Sequence, residues 1–245
     1  MSNYRYYQTI FVVILLQSIF VGCYRPSASL SFIQKSNFKS VSSAQKPTGG
    51  ELVSLDPMTE KSVIRYGPII KRYADRYEMD WRLVLAMIRQ ESRFRPDALS
   101  YMGAYGLMQI MPVTQAELTG KLQVLELSSP YNNVRAGVFH FRSLYRYFGG
   151  ATGDDRVKIS LAAYNAGLGR IRDAQAVAVH FKENPNSWEV IKRILPLLSP
   201  RHQDLHRQVW AGGTPNSRYL RNSRQTITYV EHIMQYYDEY KLALD

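Results

Sequence analysis

The chain of 245 residues has one cysteine, Cys23, so no internal disulfide can close. With no cysteine pair and no Cys/His array at ligand spacing, no metal module is expected. It also lacks an apolar run of the ~20 residues that a transmembrane helix needs. The longest such run, Ile10 to Val21, is too short. Acidic residues are scarce: 20 Asp and Glu stand against 31 Lys and Arg, giving a net charge of +11. That balance suits an anionic partner, whether nucleic acid, a lipid surface or an acidic polymer. Alternating strand pairs and internal repeats are absent. What the chain does have is 45% hydrophobic and 21% charged side chains, enough to bury a core without disulfides or metal.

The apolar run follows Arg5, the only charge before it, and reads as a signal peptide over residues 1–22. It ends in Phe20-Val21-Gly22-Cys23, which resembles the processing site of bacterial lipoproteins, with Phe20 where that group usually has Leu. The resemblance implies acylation of Cys23 and a membrane anchor. The alternative is an ordinary export signal followed by an unmodified Cys23. Removing residues 1–22 takes away only Arg5, so the basic character belongs to the exported part. Partners are therefore expected in the cell envelope, the periplasm above all, and nucleic acid is a poor candidate.

Residues 23–62, rich in Ser, Lys, Gln and Gly over much of their length, read as a flexible tether. The folded domain is placed at 63–245. Pro68 suits a first-turn position, and Ile69, Ile70, Tyr73, Ala74 and Tyr77 repeat on one helical face. Asp80 can cap a second helix from Trp81. Further helices are predicted near 112–119, 133–148, 155–166, 170–181, 188–195 and 224–241. The fold class is all-α, with an irregular insertion at 196–222.

One carboxylate breaks the pattern. Val84, Met87, Ile88 and Glu91 follow one another at spacings of 3, 1 and 3, so Glu91 continues an apolar stripe. Pro96 disfavours helical geometry at Arg95 and leaves Glu91 near the last turn, facing the negative end of the helix dipole. Both neighbourhoods favour the protonated form, which predicts a raised pKa and suits a general acid near neutral pH. The alternative is a helix-end Glu paired with Arg89, Arg93 or Arg95.

The residues that follow, Glu91-Ser92-Arg93-Phe94-Arg95-Pro96-Asp97-Ala98-Leu99-Ser100 and then Gly103-Ala104-Tyr105-Gly106-Leu107-Met108-Gln109-Ile110-Met111-Pro112, resemble the lytic murein transglycosylases. These are the SLT-type, goose-lysozyme-like enzymes of glycoside hydrolase family 23. A second motif of that family is matched by Ala163-Tyr164-Asn165-Ala166-Gly167. A third, usually Glu-Thr followed by Tyr-Val, appears as Gln225-Thr226-Ile227-Thr228-Tyr229-Val230, with Gln in place of Glu. The resemblance covers about residues 66–240 and implies a lysozyme-like helical domain acting on peptidoglycan glycan strands, with no cofactor.

It further implies that Glu91 is the catalytic acid and then the base, and that Ser100, Gln109, Tyr164, Asn165 and Tyr229 bind substrate. The reaction implied is cleavage of the β-1,4 MurNAc–GlcNAc bond without water, giving a 1,6-anhydro sugar. A hydrolytic muramidase of the same fold and a non-catalytic wall-binding module are the competing readings. Gly103 and Gly106 allow positive φ and close backbone approach, so their loop can bring Ser100 and nearby N–H groups to a sugar; the alternative is simply a tight turn. Asp97 is expected to be a solvated loop residue, and His202 and His206 to lie on the surface. Gly167-Leu168-Gly169 lacks the third glycine of a dinucleotide loop. Arg218, Arg221 and Arg224 are read as one basic helical face.

Overall fold

Three helices of the computed structural model, which describes residues 54–123 and 127–244, meet around the candidate acid. The predicted signal peptide, Cys23 and most of the predicted tether lie outside the described residues. The first helix, α1 (Pro57–Arg76), starts well before Pro68. Asp56 caps it, accepting from the Met58 and Thr59 N–H groups at 3.1 and 3.0 Å and from the Thr59 hydroxyl at 2.6 Å. Pro57, and not Pro68, is the first-turn proline. The helix thus begins six residues before the predicted domain start at 63, and Thr59 and Ser62 are already buried. Pro68 is tolerated inside the helix because it and Ile64, whose carbonyl loses its partner, both lie on the exposed face.

Helix α2 (Trp81–Ser92) begins at the predicted Asp80 cap, whose carboxylate accepts from the Arg82 N–H at 2.9 Å. Leu83 to Ile88 are all buried, so the middle of this helix is enclosed on every side, while its polar residues Arg82, Arg89, Gln90 and Glu91 lie toward its ends. Its end is not set by Pro96: Arg93 and Phe94 are both left-handed, at φ 51° and 61°, and turn the chain out at once.

Then follow α3 (Pro112–Leu122), α4 (Pro130–Tyr147), α5 (Gly153–Ala166), α6 (Leu168–His180), α7 (Trp188–Ile194), α8 (Gln203–Val209) and α9 (Ser223–Ala243). Among the described residues there is no strand, only two isolated bridges, Leu99 with Tyr105 and Tyr105 with Ile110. The all-α expectation holds. On α9, Thr226, Tyr229, Val230, Ile233 and Met234 form a buried stripe at helical spacing. That stripe packs across both α2 and α5, while α4 covers the other side of α5.

The segment 196–222 is not simply irregular. It holds two short 3-10 turns, Leu195–Leu198 and Pro200–His202, and then α8. His206 is fully buried, contrary to its expected surface position. Its Nε2 lies 2.8 Å from the Leu197 carbonyl, and its ring packs against Trp210 and Tyr219. It serves as a pin for this segment. Arg218 and Arg221 lie in irregular chain and only Arg224 is helical, so the three arginines do not form one helical face. Proline, glycine and polar side chains before Asn222 break the periodicity that such a face requires.

Candidate active site

Glu91 sits in the last turn of α2, and its Oε1 accepts a hydrogen bond of 2.5 Å from the Tyr229 hydroxyl of α9. Packing of these two helices brings together residues far apart in sequence. Glu91 is partly buried, and burial disfavours its ionisation and pushes its pKa up from 4.5 to about 7. The Tyr229 hydrogen bond opposes that rise but does not cancel it. None of the arginines proposed as alternative partners neutralises it. Arg89 turns instead to Asp56 at 3.4 Å and Glu239 at 3.7 Å, and Arg95 Nε donates to the Ser92 carbonyl. Arg93 is exposed.

Tyr164 of α5 approaches the same carboxyl. Its hydroxyl donates to the Met108 carbonyl at 2.8 Å. Burial, and then the nearby Glu91 charge, hold the Tyr164 phenol well above its usual pKa, and Tyr229 is raised by the same two effects. The Tyr164 ring is packed by His140 and Phe141 from α4, with centroids 5.3 and 6.3 Å away. Tyr229 is buried, whereas Tyr164 is only partly buried and its ring is contacted from the α4 side. Asn165 Oδ1 accepts from the Thr226 hydroxyl at 2.9 Å and joins α5 to α9 one turn before Tyr229.

The loop between α2 and α3 folds back on itself. Ser100 N–H donates to the Ala104 carbonyl and Ser100 Oγ accepts from the Ala104 N–H, each at 2.9 Å. The hydroxyl hydrogen of Ser100 remains available to a ligand. Gly103 and Gly106 both have φ of 82°, the conformation that glycine allows. Gln109 Nε2 donates to the carbonyls of Ala98 and Gly106, each at 2.9 Å. Those bonds support the left-handed backbone of Gln109, at φ 46°, which ordinarily costs about 1 kcal/mol or more for a residue with a Cβ. Its Oε1 is left as the acceptor. Asp97 is exposed, as expected, and among the described residues no other carboxylate contributes to the raised pKa of Glu91.

Sequence reasoning passed over Asn133 on α4. It is buried, its Oδ1 accepts from the Met108 N–H at 2.8 Å, and its Nδ2 donates to the carbonyls of Tyr105 at 3.0 Å and Leu127 at 3.4 Å. A Cβ at Gly106 would lie 2.4 to 2.8 Å from the Asn133 amide, so that glycine is needed for space as well as for its dihedral. The signal was the one that exposed Glu91: a polar residue four and eight positions before Gly137 and Phe141, on the apolar stripe of its helix.

Among the described residues no group of three His, Cys, Asp or Glu side chains could hold a metal ion, and no helix is long and apolar enough to cross a membrane. A groove of about 540 Å3 between α6 and α8, lined by Arg172, Gln175, Val179 and Gln208 among others, contains none of the site residues.

Residues 68–186 match the family model described as the transglycosylase SLT domain. The chain is 36% identical over 176 residues to a membrane-bound lytic murein transglycosylase F from Desulfosudis oleivorans, covering 71% of this chain and 36% of that protein. It is 34% identical over 168 residues to a protein of the same name from Maricaulis maris, covering 68% and 36%. It therefore spans about a third of the length of the curated relatives it matches. Among solved structures it is similar to the 70 kDa soluble lytic transglycosylase from Escherichia coli, at 25% identity and a TM-score of 0.47, over 75% of this chain and 25% of that one.

Proposed function

With a transglycosylase SLT domain at residues 68–186, we propose that the protein is a peptidoglycan lytic transglycosylase that uses Glu91 as its only catalytic carboxyl group. The feature that carries this reading is the setting of Glu91: its pKa is raised to about 7, so about half of it still holds its proton at neutrality, one phenol donates to it, and among the described residues no second carboxylate acts on it. Glycosidases that use two carboxyl groups place them ~5 to 9.5 Å apart. A single acid calls for another nucleophile, and the acetamido group of the MurNAc residue supplies one.

Glu91 gives its proton to the departing O4 of GlcNAc as the acetamido carbonyl oxygen attacks C1 and the glycosidic bond breaks. The resulting carboxylate takes the proton of the C6 hydroxyl. O6 then attacks C1 and expels the acetamido oxygen, giving the 1,6-anhydro sugar and restoring protonated Glu91. No water is consumed. Tyr229 stabilises the carboxylate between the two transfers, and a pKa near neutrality suits a group that must first release a proton and then regain one. Ser100, as donor, and Gln109 Oε1, as acceptor, are assigned to the substrate's polar groups. Asn165 and Tyr164 complete the wall of the cleft.

The matched relatives are named as membrane-bound enzymes, which supports a place in the cell envelope for this chain. We assign its attachment to acylated Cys23, as an outer-membrane lipoprotein; Cys23→Ser should abolish incorporation of labelled fatty acid. Activity is tested by digesting purified sacculi and weighing the products. An anhydro product lacks a reducing end and is lighter by one water than a hydrolytic one. Glu91→Gln should still bind sacculi and release nothing. Products with free reducing ends would identify a muramidase instead, and no products from the wild type would leave a wall-binding module.

A further inference from the structure

Two phenols flank Glu91, and they are not equivalent. Tyr229 donates to the carboxyl. Tyr164, within electrostatic reach of the same group, donates to the Met108 carbonyl 2.8 Å away. A hydroxyl has a single hydrogen to donate, so that contact decides what Tyr164 turns toward the acid. The peptide unit after Met108 is held by the Gln109 N–H, which donates to the Gly106 carbonyl at 3.2 Å, and the loop before it is held by Asn133. Asn133 grips the Met108 N–H at 2.8 Å and the Tyr105 carbonyl at 3.0 Å, and Gly106 between them packs so closely on Asn133 that no Cβ fits.

We propose that Asn133 is a positioning residue for the acid: by clamping the Met108 segment it commits the Tyr164 hydrogen to the Met108 carbonyl, so that only Tyr229 donates to Glu91. This rests on the reading of Glu91 as the catalytic acid. Two donors on one carboxylate would stabilise its charge and release the proton too early. With the Tyr164 hydrogen held elsewhere, about half of the acid still holds its proton at neutrality, and one carboxyl oxygen is retained for the glycan.

The titratable and charged groups around the carboxyl are few. Tyr229 faces it from α9 and Tyr164 from α5. His140 of α4 packs at a tilt against the Tyr164 ring, and burial lowers its pKa, its own charged neighbours being Glu117 and Lys121 of α3. From the segment of Glu91 itself, Arg89 is engaged by Asp56 and Glu239, Arg95 turns to a backbone carbonyl, and Arg93 is exposed.

The test is a titration of the Glu91 carboxyl by carbon NMR in the free protein, its resonance assigned by its absence in Glu91→Gln. Asn133→Ala should lower the midpoint by about one pH unit, the effect of one added hydrogen bond to a charged group. The double variant Asn133→Ala/Tyr164→Phe should return it to the wild-type value, because the hydroxyl that was set free is gone. In sacculus digestion Asn133→Ala should lower kcat about fivefold at pH 7, the fraction of acid lost by that shift, with KM within about twofold.

If Asn133→Ala does not fold, Gly106→Ala displaces the same amide and should give the same shift. Tyr164→Phe alone should leave the midpoint within a few tenths of a pH unit. A rise in that variant would show that Tyr164 already donates to Glu91 and would overturn the proposal. So would a folded Asn133 or Gly106 variant with an unmoved midpoint, the result expected of a purely structural asparagine. Because the titration needs no substrate, its outcome is separate from whether the wild type cuts sacculi.

Discussion

The Tyr229 hydroxyl lies 2.5 Å from Glu91 Oε1, across a sequence separation of 138 residues. The bond stabilises the charged carboxylate and so works against the burial that raises its pKa. Tyr229→Phe should therefore move the high-pH limb of the kcat profile upward by about one pH unit. It should also lower the maximal rate about tenfold, because the carboxylate that accepts the second proton loses its stabilising donor. A pH series of anhydro-product release checks both; a limb that moves downward would reverse the assigned direction of the bond.

The raised pKa of Glu91 also affects stability. Below the ordinary Glu value of 4.5 the group is protonated in both folded and unfolded chains and contributes nothing. Between about 4.5 and 7 the folded chain holds the extra proton, so stability falls as pH rises, and above 7 the full cost of a buried charge is present. Glu91→Gln removes that cost. It should stabilise the protein by about 2 kcal/mol at pH 8, roughly 5 °C in Tm, and by almost nothing at pH 4. Thermal melts at the two pH values provide the comparison.

Gly169, in the first turn of α6, has no room for a side chain: a Cβ there would stand 2.0 Å from Ser217 Oγ. Ser217 is also fixed by its N–H, which donates to buried Asp173 at 2.8 Å. Gly169→Ala should destabilise the domain by about 2 kcal/mol through overpacking. Adding Ser217→Gly should restore most of the loss, and denaturant melts of the two single variants and the double variant measure the coupling.

His206 and His202 are four residues apart and differ in burial. His206→Ala removes a buried ring and its bond to the Leu197 carbonyl, which should cost about 2 to 4 kcal/mol. His202→Ala should stay within about 0.5 kcal/mol. Urea melts separate the two. Equal losses would remove His206 from its role as the pin of segment 196–222.

The acid was legible in the sequence because helical periodicity is a local property: Val84, Met87, Ile88 and Glu91 share a stripe whatever surrounds them. The positive dihedrals of Gly103 and Gly106 were legible for the same reason, since a glycine pair in a turn marks the backbone directly. The start of α1 is equally local, in the Asp56-Pro57 pair and Thr59, although Pro68 has the same first-turn signature as Pro57. His206 could not be placed in the same way. Its burial depends on Trp210, Tyr219 and the Leu197 carbonyl, which meet only when 196–222 folds over.

The sequence by itself determined an all-helical chain with one carboxyl group seated among apolar neighbours, because the 3.6-residue repeat and the caps are written along each segment. Tertiary structure alone decided which hydroxyl reaches that group, which turns its hydrogen elsewhere, and which amide holds the loop. Those contacts join α2 to α9 and α4 to the loop before α3, and a hydrogen bond forms only where packing brings donor and acceptor to about 3 Å.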